Sequence, residues 1–255
     1  MSLVARFRQA ALASGIHFLA SVGIAILASA LVFLVWYPYP YRDLSGGREL
    51  FLLVMGVDIV CGPLLTLVLF DPAKPKAELW RDMALVMLIQ LGALGYGLWT
   101  VWQARPLYLV LEVDRFKVIT RTTIDEAALA VLPSELQPNL FAGPMVVGVR
   151  DPVDANERER IMFESVQGGR DYAERPEFYV PYAGSVEARA SVKARPLSVF
   201  LQKQPAQRAT ANELAAEKKA DITQWFYLPV VARQDWVAVL DKQGQIQGFL
   251  KGDGF

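Results

Sequence analysis

An apolar run from Leu50 to Phe70 carries one carboxylate, Asp58, near its middle. About 20 apolar residues form a helix long enough to cross the ~30 Å hydrocarbon core of a bilayer. A charge at that depth costs roughly 3 kcal/mol or more. A partner, a proton or water must therefore offset it. Gly62-Pro63 follows one turn later. Proline removes a donor from the helix ladder and releases a carbonyl upstream, which gives Asp58 or a partner something to bond.

Two more runs of this kind flank it. The first spans about Gly15 to Tyr37, with no Asp, Glu, Lys or Arg between Arg8 and Arg42. Arg6 and Arg8 followed by Ala28-Ser29-Ala30 resemble a cleavable signal peptide. The run continues past that site through Leu31–Trp36, however, so it reads as a membrane span. The third spans about Met83 to Trp102 and holds only Gln90 as a strongly polar group. Trp36, Tyr37, Tyr39 and Tyr41 are expected to form an interfacial aromatic belt, with Trp99 and Trp102 at another interface. The predicted division is a three-helix membrane region over residues 1–103, with spans of about 15–37, 49–70 and 83–102, and a separate domain over 104–255.

Charge sets the expected orientation. Arg6 and Arg8 precede the first span, and Lys74, Lys76 and Arg81 lie between the second and third. Only Arg42 and Arg48 lie between the first and second. Positive residues in short loops favour the cytoplasm. The amino terminus is thus expected inside and the carboxy-terminal domain outside. Net charge is zero and no basic block stands out, which argues against nucleic acid as a partner. Cys61 is the only cysteine, so no disulfide forms within the chain. Small residues recur at Ser21, Ala25 and Ser29, and again at Ala93 and Gly97, a spacing that lets helices pack closely in lipid. That packing serves either this bundle or a partner's helix.

From Arg105 onward the pattern changes to a small α+β domain. Leu107 to Ile119 reads as one strand and Met145–Val149 as another. A short helix capped by Thr123 or Asp125 runs to Leu132, where Pro133 stops it. Asp154 to Val166 reads as an amphipathic helix ended by Gly168-Gly169. Val186 to Gln204 is helical with a break at Pro196. Thr210 and Glu213 form a capping-box pattern for a helix to Ala220. Gln224–Ala232, Trp236–Leu240 and Ile246–Leu250 read as antiparallel strands, the last two joined by a turn at Asp241–Gly244.

No catalytic constellation emerges. The chain has no phosphate-binding glycine loop and no metal-ligand spacing. His17 is the only histidine, so the outer domain has neither His nor Cys for nucleophilic catalysis. Asp58 has no second carboxylate in the other two spans, and Cys61, one turn away, is expected to be inert in lipid. Asp58 then ties the bundle together, through Gln90, Ser21 or Ser29, or serves as a docking point for a ligand helix; a proton or ion path is a weaker third reading, because three helices rarely enclose one. No cofactor, metal or enzymatic activity is expected.

Several short segments, in order, resemble the type IV pilin accessory proteins, the TfpX/TfpZ or FimB-like family. They are Gly15-Ile16-His17, Val35-Trp36-Tyr37-Pro38, Gly56-Val57-Asp58, Gly62-Pro63-Leu64-Leu65-Thr66-Leu67 and Asp71-Pro72-Ala73-Lys74. They continue with Gln90-Leu91, Tyr96 to Val101, Gln103-Ala104-Arg105-Pro106 and Glu112 to Phe116. The resemblance covers roughly residues 14 to 120. It implies a multi-pass protein of the bacterial inner membrane that acts as a chaperone or assembly factor for a cognate type IV pilin. Its partners would be the pilin's transmembrane helix and head domain, the lipid bilayer and further copies of the chain in an oligomer. Asp58, Gly62, Pro63, Ser21, Ala25 and Ser29 are the candidate partner-binding residues. Arg105, Pro106, Asp114 and Arg115 are the candidate residues joining the membrane region to the periplasmic domain. The competing readings are a membrane-anchored extracytoplasmic sensor of a small ligand and a membrane enzyme built around Asp58.

Overall fold

The computed structural model describes residues 3–255, the side chains of 3, 47 and 50 excepted. The chain forms two compact units, residues 1–38 with 47–104 and residues 39–46 with 105–255.

The first unit is helical. Helix α1 (Leu3–Ala30) continues as a π-helical segment over Leu31–Trp36. A short helix, α2 (Tyr41–Leu44), lies in the connection that follows. Helices α3 (Gly47–Leu69) and α4 (Lys76–Gln103) complete the unit. Three stretches, Val4–Trp36, Phe51–Leu69 and Lys76–Gln103, are long and apolar enough to cross a membrane. The π segment closes when Tyr37 N–H donates to Val32 O at 2.7 Å, and the Tyr37 hydroxyl donates to Val101 O of α4 at 2.8 Å. Trp36 and Tyr37 are therefore buried in the bundle and not part of an aromatic belt. Small residues act as expected only in part. A Cβ at Gly97 would overlap Val54, so glycine permits the approach of α3 to α4, whereas Ala93 is exposed.

The second unit is built on a mixed sheet. Its strands are β1 (Pro106–Leu111), β2 (Phe116–Thr120), β3 (Met145–Val149), β4 (Tyr179–Pro181), β5 (Arg195–Pro196), β6 (Phe226–Val231), β7 (Trp236–Leu240) and β8 (Ile246–Lys251). They lie in the order β4-β3-β1-β2-β6-β7-β8, with β5 paired to β6. Helices α5 (Glu126–Ala130), α6 (Ala155–Val166), α7 (Ser185–Lys193), α8 (Leu197–Lys203) and α9 (Arg208–Lys218) connect them. The uninterrupted apolar run of β1 reflects burial on both faces of the sheet. Tyr108 and Val110 enter one core with Val147 and Phe178, while Leu109 and Leu111 enter another with Phe116 and Leu228.

Three details depart from the sequence reading. Residues 107–119 are a hairpin, not one strand. Glu112 N–H donates to Arg115 O at 3.1 Å, and the register resumes at Leu111 opposite Phe116. The turn contains neither Gly nor Pro, so nothing local marked it. Helix α9 begins at Arg208, because the 3-10 turn Pro205–Gln207 already sets helical geometry; Thr210 lies inside the helix and caps nothing. The third concerns the connection between the first two long helices. Residues 39–46 belong to the second unit, where Tyr41 and Leu44 are buried in the core beside Phe249 and Trp236. Tyr41 meets Phe249 edge to face at 6.2 Å, and Gln234 N–H donates to Leu44 O at 3.3 Å. Burying a leucine fully stabilises a fold by about 1.5–3 kcal/mol, so Leu44 is a core residue and Tyr41 is no belt residue.

A polar clamp holds α6 against β3. Both terminal nitrogens of Arg150 donate to the Glu157 carboxylate at 2.9 and 3.0 Å, and Val153 N–H donates to it at 2.7 Å. Arg150 also stacks 4.4 Å from the Phe178 ring centre. The Arg150 guanidinium and the Val153 amide pull the Glu157 carboxyl down to about 2 from an ordinary 4.5. A depressed carboxyl contributes stability above its unfolded value and loses it as pH falls toward the folded value. Glu157→Gln is expected to lower the thermal midpoint at pH 7, with the gap to wild type closing between pH 4.5 and 2; tryptophan fluorescence melts across that range measure it.

Candidate functional site: the polar seam of the apolar helices

On α1, Ser14, His17 and Ser21 are spaced by three and four residues and share one helix face. On α3, Asp58, Gly62 and Thr66 recur at every fourth residue. The two rows meet along their length. The Ser14 hydroxyl donates to Pro63 O at 2.8 Å, and His17 Nδ1 lies 2.6 Å from Thr66 Oγ1. Gln90 of α4 closes the seam. Its Nε2 donates to Ser21 Oγ at 2.9 Å and to the backbone carbonyl of Asp58 at 3.2 Å.

Gly62 is what lets Gln90 in. A Cβ there would overlap the Gln90 amide, so any other residue would drive the side chain off the seam. Pro63 sits inside α3 without ending it, and the helix continues to Leu69. Its own carbonyl is engaged by Ser14. In hydrocarbon each polar group must find a partner within the protein; here α1, α3 and α4 supply one another's hydroxyl and amide N–H groups, while the buried Gln90 Oε1 has no hydrogen-bond partner among the described residues. Thr66 and Ser21 are accordingly buried.

The candidate residues separate as follows. Asp58, Gly62, Pro63 and Ser21 come together at the seam. Ala25 is buried in the bundle core beside Ala28 and Val32. Ser29 turns its hydroxyl back to Ala25 O at 2.7 Å and takes no part. Cys61 is exposed on the outer side of α3. Sequence reading named Gln90, Ser21 or Ser29 as partners for Asp58; Gln90 reaches its backbone carbonyl, Ser21 bonds Gln90 and Ser29 bonds Ala25, and the His17–Thr66 and Ser14–Pro63 links were missed. The spacing of Ser14, His17 and Ser21 carried that signal.

The proposed junction residues do not form one site. Arg105 and Pro106 stand at the start of β1, while Asp114 and Arg115 lie in the turn after its end. Six residues of strand at ~3.3 Å each keep them roughly 20 Å apart. Arg105 is buried and donates to Asn139 O at 2.6 Å and Leu140 O at 3.2 Å, pinning that loop. Arg115 pairs with Glu112 at 3.2 Å, and Asp114 is exposed. Among the described residues no group of three or more His, Cys, Asp or Glu is placed to hold a metal.

Comparison with known proteins places this architecture. A family model described as fimbrial assembly protein FimB matches residues 5–46. A fimbrial assembly protein of serogroup I from Dichelobacter nodosus is 35% identical over 253 residues, covering 98% of each chain. The chain belongs to the FimB fimbrial assembly proteins. The serogroup E1 protein of the same organism is 34% identical over a similar span, and the protein of serogroups C1 and C2 is 44% identical over 119 residues. No solved structure matches. Membership assigns this protein a role in fimbrial biogenesis, and its three apolar helices make it a membrane protein. In this FimB-family chain the seam spans all three helices.

Replacing Gln90 by Leu removes the group that joins them. Interhelical hydrogen bonds in membranes contribute about 0.6–2 kcal/mol each, so Gln90→Leu is expected to destabilise the purified protein by about 1 kcal/mol or more. Gly62→Val acts in the same direction through overlap, and Cys61→Ser leaves stability unchanged. Unfolding by increasing denaturing detergent, followed by circular dichroism, ranks the three.

Proposed function

We propose that this protein is an inner-membrane accessory factor for a cognate type IV pilin, which it binds and stabilises before assembly. The observation that carries the reading is the whole-chain similarity to fimbrial assembly proteins. A pilin awaiting assembly presents a long apolar helix and a globular head. The helical bundle offers outward apolar residues such as Leu27, Leu53 and Leu88 for lateral contact with such a helix. The second unit would meet the head.

Orientation is part of the proposal. Arg6 pairs with Asp71 at 3.2 Å and Lys74 with Asp82 at 2.6 Å, so the start of α1 and the α3–α4 connection share one end of the bundle. That end holds most of the short-loop cations and belongs in the cytoplasm. The second unit then lies in the periplasm. We assign the protein no catalytic step. Asp58 acts through the seam, as a bundle-forming residue whose backbone carbonyl accepts from Gln90.

Co-purification from membranes expressing both proteins tests this. The tagged protein is expected to recover pilin, and failure to do so under mild detergent refutes the reading. Asp58→Ala is expected to lower the amount of the tagged protein while leaving pilin recovered per molecule within about twofold. A selective loss of pilin would instead make Asp58 a docking group.

A further inference from the structure

The sheet of the second unit ends in an open strand. β8 is its last member, and among the described residues only β7 pairs with it. The register decides which backbone groups face outward. Gly252 N–H donates to Asp235 O at 2.8 Å, so that opposed pair is hydrogen-bonded. Opposed pairs in an antiparallel ladder alternate between bonded and non-bonded. Lys251, opposite Trp236, and Phe249, opposite Ala238, therefore turn their N–H and C=O groups away from β7. Gln207 caps the Lys251 N–H at 3.3 Å. The Phe249 amide and carbonyl have no partner among the described residues. Folded domains usually blunt such edges. The opposite edge, β4, is blunted: it is three residues long and ends in Pro181.

A groove of about 430 Å3 runs along β8. Tyr39 and Pro40 form one wall, and Tyr39 is 56% exposed. The other wall is α9, where Glu213 and Glu217 project one turn apart, both exposed and without an ion-pair partner among the described residues. Lys218 also borders the groove, which leaves its rim with a net negative charge.

We infer that this groove binds an extended, Lys- or Arg-bearing segment of the pilin, which adds to β8 as a further strand. Backbone pairing to Phe249 would supply affinity, and the two glutamates the charge preference. The inference rests on the pilin reading above. A second copy of this chain fits the edge less well. A twofold pairing of β8 strands places both α9 helices on one face, with Glu213 and Glu217 repeated on each side.

Photo-crosslinking in membranes tests it, using the full-length protein expressed with its pilin. Probes at Thr210 in the groove, at Val131 elsewhere on the second unit and at Leu53 on α3 are compared. The expected result is pilin captured at Thr210 and not at Val131, through a pilin peptide containing Lys or Arg. Glu213→Lys with Glu217→Lys is expected to cut the Thr210 crosslink at least tenfold at unchanged protein level. Pilin captured at Leu53 or Val131 but not at Thr210 overturns the groove and leaves the pilin reading intact. Pilin captured nowhere overturns both. A Thr210 crosslink only to a second copy, or one unaffected by charge reversal, overturns the proposed occupant.

Discussion

A carboxylate in the middle of a 23-residue apolar helix has to be answered by other polar groups, and the bundle is arranged around that answer. Gln90 reaches across from α4 to the backbone carbonyl of Asp58, Gly62 leaves the space for it, and Ser21 takes its second hydrogen bond. One amide thus holds three helices in register. The neighbouring links, Ser14 to Pro63 and His17 to Thr66, extend the same logic toward the end of the bundle. Helices in lipid gain little from apolar contact alone, so polar pairs and close packing decide which faces meet. Gly97 against Val54 supplies the close packing where the polar seam stops.

The second unit depends on a different constraint. Its central strand β1 is buried on both faces, so both must be covered. One cover includes α5 and the 3-10 turns around Leu136 and Phe178, and another is α8 with α9 over β6, β7 and β8. The remaining surface is closed by α7 and by Tyr41 and Leu44, which come from between the first two long helices. Glu157 and Arg150 then fix α6 to the end of β3.

Much of this was legible from local pattern. Three long apolar runs, Asp125 as a helix cap and the terminal strands all follow from hydropathy, capping chemistry and β-branched content. Asp58, Gln90, Ser21 and Ser29 stood out because polar groups inside apolar runs are few, but that rule did not separate Ser21, which bonds Gln90, from Ser29, which bonds Ala25. What stayed hidden was non-local. Glu112–Arg115 forms a tight turn without Gly or Pro, so only the pairing of Leu111 with Phe116 reveals it. Tyr37 and Tyr41 have the sequence look of interfacial aromatics, yet their burial is decided by Val101 and Phe249, far away in the chain. Asp114 and Arg115 seemed close to Arg105 in sequence, and a strand's length separates them.

The contribution of residues 39–46 bears on how the protein is made. Tyr41 and Leu44 leave the ribosome before α3 and α4, whereas Trp236 and Phe249, which they pack against, follow only after those helices and β1 to β6. During the interval those side chains have no finished core to enter. The second unit therefore reaches its native state only once β7 and β8 have been translated, and residues 105–255 expressed alone would fold around a gap that the missing loop normally fills.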